Sequence, residues 1–285
     1  MSDTRRRLVR AAAVTLAALT WGTGATAQSW RTMTSARQLA GTGPVKVRVE
    51  YGSGRLELRP AEKPMLYRME TRYDESQFSP VSTFSQESRL LQLGVRAKEG
   101  RRGMGAKTGS HATISLTREV PIDLDLDFGA GEAQIDLGGM RLQRLELSTG
   151  ASETRVRFDQ PNPIRADRIQ INAGAAELEV RGLGNARADR VEFNGGVGST
   201  VLDFSGAWQG NGIASVKMGI GSVVLRLPRS LGVRVDRSSF LTSFDAKGLV
   251  RRDGSYFSAN WGSARNKLTI DVEAALGSIE IEWVD

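Results

Sequence analysis

A chain with one histidine and no cysteine has few ways to assemble a catalytic centre. Thiolate metal sites and disulfides are excluded outright. Any Ser-His-Asp triad, histidine acid/base pair or histidine-based zinc site would have to use His111. That residue sits at the end of a glycine-rich basic stretch, not on an apolar face, and reads as an exposed loop histidine. The carboxylates are more ordered. Asp123, Asp125 and Asp127 alternate along one strand face. A calcium ion needs several oxygens converging at about 2.3–2.6 Å, whereas positions i, i+2 and i+4 of a strand spread over about 13 Å. These three aspartates therefore read as a solvated face. Glu132, Glu153 and Glu177 follow three glycine turns at matching offsets, so stacked strands would bring them into one acidic edge that either splays into solvent or is bridged by a cation. Glycoside hydrolysis wants two carboxylates about 5–10 Å apart in a cleft; stacked strands supply such pairs at random, so their presence argues nothing. The sequence predicts no catalytic residue, no metal ligand and no cofactor.

One cluster could bind instead of react. Arg96, Lys98, Arg101, Arg102 and Lys107 surround a single acid, Glu99, in a glycine-rich stretch without apolar period. Arg96, Arg101, Arg102 and Lys107 are the candidate contacts for an anionic surface such as lipid, lipopolysaccharide or wall polymer. No aromatic residues interleave there, so base stacking has no platform and nucleic acid is not expected as a partner. Trp208, Trp261 and Trp283 lie near turns or the C-terminal end. They suit either sugar stacking or capping of an open core.

The N-terminus bears on where such chemistry would happen. Arg5, Arg6, Arg7 and Arg10 precede an apolar stretch from Ala11 to about Trp21, and Ala25-Thr26-Ala27 follows. This is the pattern of a secretory signal peptide, residues 1–27, cleaved after Ala27. The apolar stretch is short for a span of about 20 residues. Paired arginines leave Sec and twin-arginine export both open. Removing the segment lowers the formal charge of +7 by 3, so the mature protein is only mildly basic. The expectation is an exported protein, periplasmic or secreted, and soluble after cleavage.

The elements that would carry these residues are strands. Residues 28–43 are polar without a strong period and read as a linker or short helical lead-in. Residues 44–112 form an N-terminal β region: Val45, Val47 and Val49 share one face, Gly52-Ser53-Gly54 makes a turn, and Leu56 and Leu58 resume the alternation. The region ends in the basic glycine-rich loop. Residues 113–285 repeat. DLDLDFGAGEAQIDL, LELSTGASETRVRF, IQINAGAAELEV, VEFNGGVGSTVLDF and VKMGIGSVVLRL each give an alternating strand, a Gly-small-small turn and a second alternating strand. Their leading glycines, Gly129, Gly150, Gly174, Gly196 and Gly219, are spaced 21, 24, 22 and 23 residues apart. Val233–Asp245 and Ile270–Trp283 read as worn copies, the last as a C-terminal cap.

A period of about 22 residues is the mark of stacked units, because a stacking register demands it. Side chains alternate along a strand, so Leu124, Leu126 and Phe128 face inward. In the second strands Ile135/Leu137, Val156/Phe158, Leu178/Val180, Leu202/Phe204 and Leu225/Leu227 fill the inward slots. No rung can bury its face alone; stacking at about 4.8 Å builds one core. The outward residues Asp136, Arg157, Glu179, Asp203 and Arg226 would form a ladder of mostly opposite charges. The expected fold is all-β, a parallel β-solenoid of about 22-residue strand–glycine turn–strand repeats. An antiparallel meander of hairpins is the alternative that the same strand–Gly-x-Gly–strand pattern allows.

The stretch VPIDLDLDFGAGEAQIDLGGMRLQRLELSTGASETRV resembles the toast-rack family of bacterial envelope proteins. That family is similar in turn to candidate-adhesin β-solenoids and to the extracytoplasmic domains of cell-wall-antibiotic response proteins. The resemblance rests on DLDFGAGE, on LQRLELSTGAS and on the upstream YGSGRLEL turn, and covers about residues 44–245. It implies a right-handed β-solenoid and an envelope location, and it supplies no catalytic residues. Many relatives carry membrane helices beside this domain, whereas only a signal peptide is read here. The expected function is a non-enzymatic binding or scaffolding module of the envelope, adhesin-like or related to envelope stress. A polysaccharide-acting solenoid enzyme and a periplasmic sensor partner of a membrane protein are the alternatives. The partner itself is unknown from sequence: an envelope polymer, an anionic membrane surface or a membrane protein.

Overall fold

The computed structural model describes residues 29–98 and 110–285. Residues 1–28, which include the segment expected to be a signal peptide, and residues 99–109 lie outside that range. The first six strands are β1 (Trp30–Gln38), β2 (Val45–Pro60), β3 (Met65–Asp74), β4 (Phe78–Ser85), β5 (Leu90–Ala97) and β6 (His111–Leu116). Then come β7 (Ile122–Asp136), β8 (Leu142–Arg157), β9 (Ala166–Arg181), a single helical turn α1 (Leu183–Ala186), β10 (Ala188–Asp203) and β11 (Gly212–Pro228). The chain ends with β12 (Gly232–Asp245), β13 (Leu249–Arg252), β14 (Ser255–Ser258) and β15 (Lys267–Val284).

Eight of these strands stack in parallel in the order β2-β7-β8-β9-β10-β11-β15-β12. The protein is thus an all-β parallel solenoid. Hairpin pairing, the alternative reading, is confined to the two ends. There β1, β3 and β6 pair antiparallel, as do β4 and β5, and β12, β14 and β13.

Each rung is one continuous bent strand. In β7 the buried positions are Ile122, Leu124, Leu126 and Phe128, then Ala133 and Ile135. The step from Phe128 to Ala133 is odd, so the inward phase flips at the glycine corner. That flip lets both arms of a bent strand face the same interior, with the residues between them turned outward. The chain between rungs closes a third side. Leu137 and Met140, Phe158, Leu183 and Ala186, Phe204, and Leu227 and Leu231 are all buried there.

The connections are held by asparagine amides. Asn162 Nδ2 donates to the carbonyls of Leu142 (2.7 Å) and Ala186 (3.2 Å), and its Oδ1 accepts from the Ile164 N–H (3.1 Å). One side chain thereby ties three successive levels. Asn185 donates to Phe158 O (2.8 Å) and accepts from the Ala207 N–H (2.8 Å) one level further on. Such amides satisfy carbonyls that a strand ladder would otherwise pair.

Three expectations change. Residues 28–43 contain β1, an edge strand on β3, and not a helix or free linker. The charge ladder is shifted at β9: Arg157 stands opposite Arg181, while Glu179 stands opposite Arg155 on one side and Val201 on the other. A slip of two residues keeps every side chain on its face, so alternation alone does not reveal it. The inward partner of Val156 is accordingly Val180, and Leu178 faces Thr154. Finally, the C-terminal copy does not cap the stack. β15 inserts between β11 and β12, and β12 is the last rung.

At the opposite end the first rung is built from two strands. β5 pairs with the first arm of β2 and β6 with its second arm. Buried Asp74 fixes the turn that leads into β4. Its carboxylate accepts from the Ser76 hydroxyl (2.7 Å), the Ser76 N–H (3.0 Å) and the Gln77 amide (2.9 Å). The Ser76 hydroxyl first, with the Ser76 N–H and the Gln77 amide, holds this carboxyl below its ordinary value. A carboxyl depressed in the folded state adds stability that is present above the unfolded value of about 4 and is lost as pH falls through the folded value. The replacement Asp74→Asn should lower the melting temperature at pH 7 and flatten the fall in stability below about pH 4. Parallel acid-melting slopes for the two proteins would refute this role.

Candidate functional site

The sequence-chosen basic residues divide. Arg96 leaves the end of β5 and grips Glu50 of β2, with Nε to Oε2 at 2.7 Å and Nη2 to Oε1 at 2.9 Å. The Arg96 guanidinium pulls the Glu50 carboxyl below its ordinary value. This arginine joins two rungs through an ion pair, and its side chain stays half-exposed. Lys98 Nζ donates to the Glu75 carbonyl at 2.7 Å. Arg101, Arg102 and Lys107 lie outside the described residues. His111 opens β6, exposed, opposite Arg55 and Arg72.

The acidic candidates separate as well. Asp123, Asp125 and Asp127 point outward along the first arm, and Asp125 meets Arg48 at 3.0 Å. Desolvation, with the charges of Asp125, Glu50 and Glu146 nearby, pushes Asp127 above its ordinary value. Glu132, Glu153 and Glu177 do stand in one column, as their offsets predict. Basic neighbours answer two of them: Arg55 reaches Glu132 at 2.8 Å, and Arg155 pairs with Glu153. The Gln134 amide and then Arg55 hold Glu132 below its ordinary value. Among the tryptophans, Trp208 donates to Phe204 O (2.7 Å) on the connection side, and Trp283 donates to Lys247 O (2.7 Å) beside the last rung.

The feature that stands out is one that motif searching missed. At each corner the outermost residue lies between two glycine-rich columns. In rung order it reads Ser53, Ala130, Ala151, Ala175, Val197, Ile220, Leu276 and Leu241. The column is small over its first half and aliphatic over its second. Val197, Ile220, Leu276 and Leu241 are 53%, 50%, 47% and 63% exposed, and they are four of the six large apolar side chains that stand out in solvent among the described residues. They form one line about 14 Å long at the rung spacing.

Glycine makes this line a ridge. A Cβ on Gly196 would lie 2.6 Å from Gly174 O, and one on Gly219 would lie 2.6 Å from Gly196 O. At these two rungs the bend brings backbone so close that a side chain has no room beside the ridge in that column, whereas β15 carries Ala275 there. The next rows out change character together with the ridge. Where the ridge is alanine, one flank is Glu132, Glu153 and Glu177. Where it is aliphatic, the same flank is Ser199, Ser222, Ser278 and Ser243. The other flank carries Asn194, Lys217, Glu273 and Ser238, with Lys217 and Glu273 paired at 3.2 Å. The aliphatic half is therefore bordered by hydroxyls, amides and one neutralised ion pair. The signal lay in the sequence all along, as the middle letter of GAG, GAS, GAA, GVG, GIG and ALG.

A second uncatalogued array lies on the first arm. Arg144, Arg168 and Arg190 occupy one outward position on three successive rungs. Their ion pairs are long: 4.0 Å to Asp167, and 3.7 and 3.8 Å to a shared oxygen of Glu192. Several arginines elsewhere on the stack meet an acid at 2.7–3.0 Å, as in Arg96–Glu50, Arg55–Glu132, Arg226–Glu282 and Arg157–Asp136.

A family model described as the N-terminal domain of toast_rack, DUF2154, matches residues 26–181. No curated protein sequence matches the chain. Among solved structures, a candidate cell adhesion protein from Clostridium sporogenes is 18% identical, with a TM-score of 0.46, over 90% of this chain and 100% of that one. A candidate adhesin from Bacteroides fragilis is 12% identical, with a TM-score of 0.42, over 88% of this chain and 97% of that one. A candidate lipid-binding protein from Parabacteroides distasonis is 12% identical, with a TM-score of 0.37, over 88% and 97% of the two chains.

Proposed function

The chain belongs to the toast-rack family, and on that premise we propose that it is a non-enzymatic binding or scaffolding module of the bacterial cell envelope. It would act as an adhesin-like surface, exported by the segment 1–27 and free of that segment once cleaved after Ala27. The observation that carries this reading is the aliphatic ridge on a rigid stack. A contiguous apolar patch on the surface of a monomeric protein is often the place where it meets something. Parallel rungs fix their spacing, so the ridge is preorganised and loses little entropy on contact. The short connections between rungs, such as 137–141 and 182–187, build no walls for a substrate cleft, which supports binding over catalysis.

The test has two stages. Cells producing the native-length protein are fractionated and its mature N-terminus is sequenced; a start at Gln28 outside the cytoplasm is the expected result. The purified protein is then offered wall polymers, lipopolysaccharide and lipid vesicles at near-physiological salt. Failure to bind any of them, or turnover of an acidic polysaccharide, would overturn the proposal.

A further inference from the structure

We infer that the aliphatic half of the corner ridge, Val197, Ile220, Leu276 and Leu241, inserts into a lipid surface. The inference rests on the envelope-binding reading above and names the occupant of its ridge. Three observations select lipid over a protein partner.

Shape comes first. The inward positions on either side of a corner, Met218 and Val223 in β11, are separated by four residues that all turn outward. The ridge is consequently the convex apex of a bent sheet. Side chains that protrude from a convex edge enter a soft, deformable medium with little matching of surfaces, whereas a protein partner would need a complementary groove.

Size is the second. Four half-exposed aliphatic side chains present on the order of 300–400 Å². That is well short of the roughly 800 Å² per partner that a stable protein–protein contact buries, so pairing of two copies through the ridge alone would be weak. Insertion into hydrocarbon requires no such minimum, because lipid chains close around each side chain.

Polarity is the third. One flanking row loses its carboxylates over the same rungs at which the ridge becomes aliphatic: Glu177 gives way to Ser199, Ser222, Ser278 and Ser243. On the other flank the carboxylate beside the aliphatic half, Glu273, is paired with Lys217 at 3.2 Å. Hydroxyls and amides sit at a headgroup boundary at much smaller desolvation cost than carboxylates. The alanine half, with Glu132, Glu153 and Glu177 beside it, would be kept in water. The stack would then touch the surface by its β10–β12 end, with the β2 end held away.

The absence of cysteine allows a direct test on the full chain. Single replacements Ile220→Cys and Leu276→Cys carry an environment-sensitive fluorophore at the ridge. Ala130→Cys carries it on the alanine half, and Ile213→Cys carries it on an exposed apolar position off the ridge. Neutral phosphatidylcholine vesicles are added. The labels at 220 and 276 should shift to shorter wavelength and be quenched by a lipid-borne quencher, and those at 130 and 213 should not. The shift should survive a rise from 0.1 to 0.5 M salt, since apolar insertion is not screened. The unlabelled double variant Ile220→Ser/Leu276→Ser should compete for vesicles at least about tenfold more weakly than the native protein. Ile213, Ile220 and Leu276 are exposed and Ala130 is partly exposed, so melting curves should match. If the chain associates with vesicles through another segment, the 220 and 276 labels stay water-like and the inference falls. A shift that depends on protein concentration without lipid would assign the ridge to a second copy, and would also overturn it. Binding to wall polymers with no vesicle response would refute lipid insertion while leaving the envelope-module reading standing.

Discussion

Replacing Gly221 by alanine should destabilise the protein by about 3–5 kcal/mol and lower its melting temperature by roughly 10 °C. Gly221 holds φ +143°, and a Cβ there would lie 1.8 Å from Gly198 O, 2.9 Å from Gly198 C and 3.1 Å from Gly198 N. All three are backbone atoms of the rung beneath, so no side chain can swing aside to relieve the contact. Separating the rungs would break the parallel hydrogen bonds that hold β10 to β11. Gly52→Ala is the matched control: a Cβ there meets nothing within 4 Å, so its effect should stay within about 0.5 kcal/mol. Thermal or denaturant melting of both variants decides the matter. β8 and β9 turn the same corner with Ser152 and Ala176 at the equivalent position. A loss under about 1 kcal/mol for Gly221→Ala would mean that β11 can adopt their form of the bend.

The second large effect is expected at Asn162. Truncation to alanine leaves the carbonyls of Leu142 and Ala186 and the N–H of Ile164 without their partner at a buried position. Each orphaned group costs about 1–3 kcal/mol, and partial relaxation should bring the sum to about 3 kcal/mol. Asn260, which donates to Arg229 O at 3.1 Å on the surface, should lose less than about 1 kcal/mol on the same change. Because each level touches only its neighbours, the damage should be local. Hydrogen exchange should accelerate around β8, β9 and β10 before it does so in β2. Uniform acceleration along the whole stack would show that the rungs unfold as one.

What the sequence made legible follows from how each feature is written in it. The repeat is readable because a glycine must recur wherever backbone approaches backbone at a corner, and Gly129, Gly150, Gly174, Gly196 and Gly219 do so. The inward columns are readable because burial forces alternation. The register of β9 was misread because Glu179 and Arg181 share a face, and only a count from Gly174 separates them. β1 was missed because an edge strand with one wet face needs little apolar pattern; WRTMTSARQ supplies only Met33 to the core's margin. The basic cluster was legible as composition, but composition does not reveal that Arg96 is already engaged by Glu50. The ridge was overlooked for a different reason. Its residues are scattered singly among glycines in sequence, and they become a surface only when the rungs are stacked.

The placement of β15 has a consequence for the order in which the chain can be completed. Strands β5 to β11 each find a partner among residues already synthesised. β12 does not, because its parallel neighbour is β15 alone, and β15 spans Lys267–Val284. A chain emerging from the ribosome must therefore hold β12 and the open side of β11 in waiting until β15 has been made. The later strand is the keystone of this end, so β12 joins the stack only after β15 is available to pair with both its neighbours.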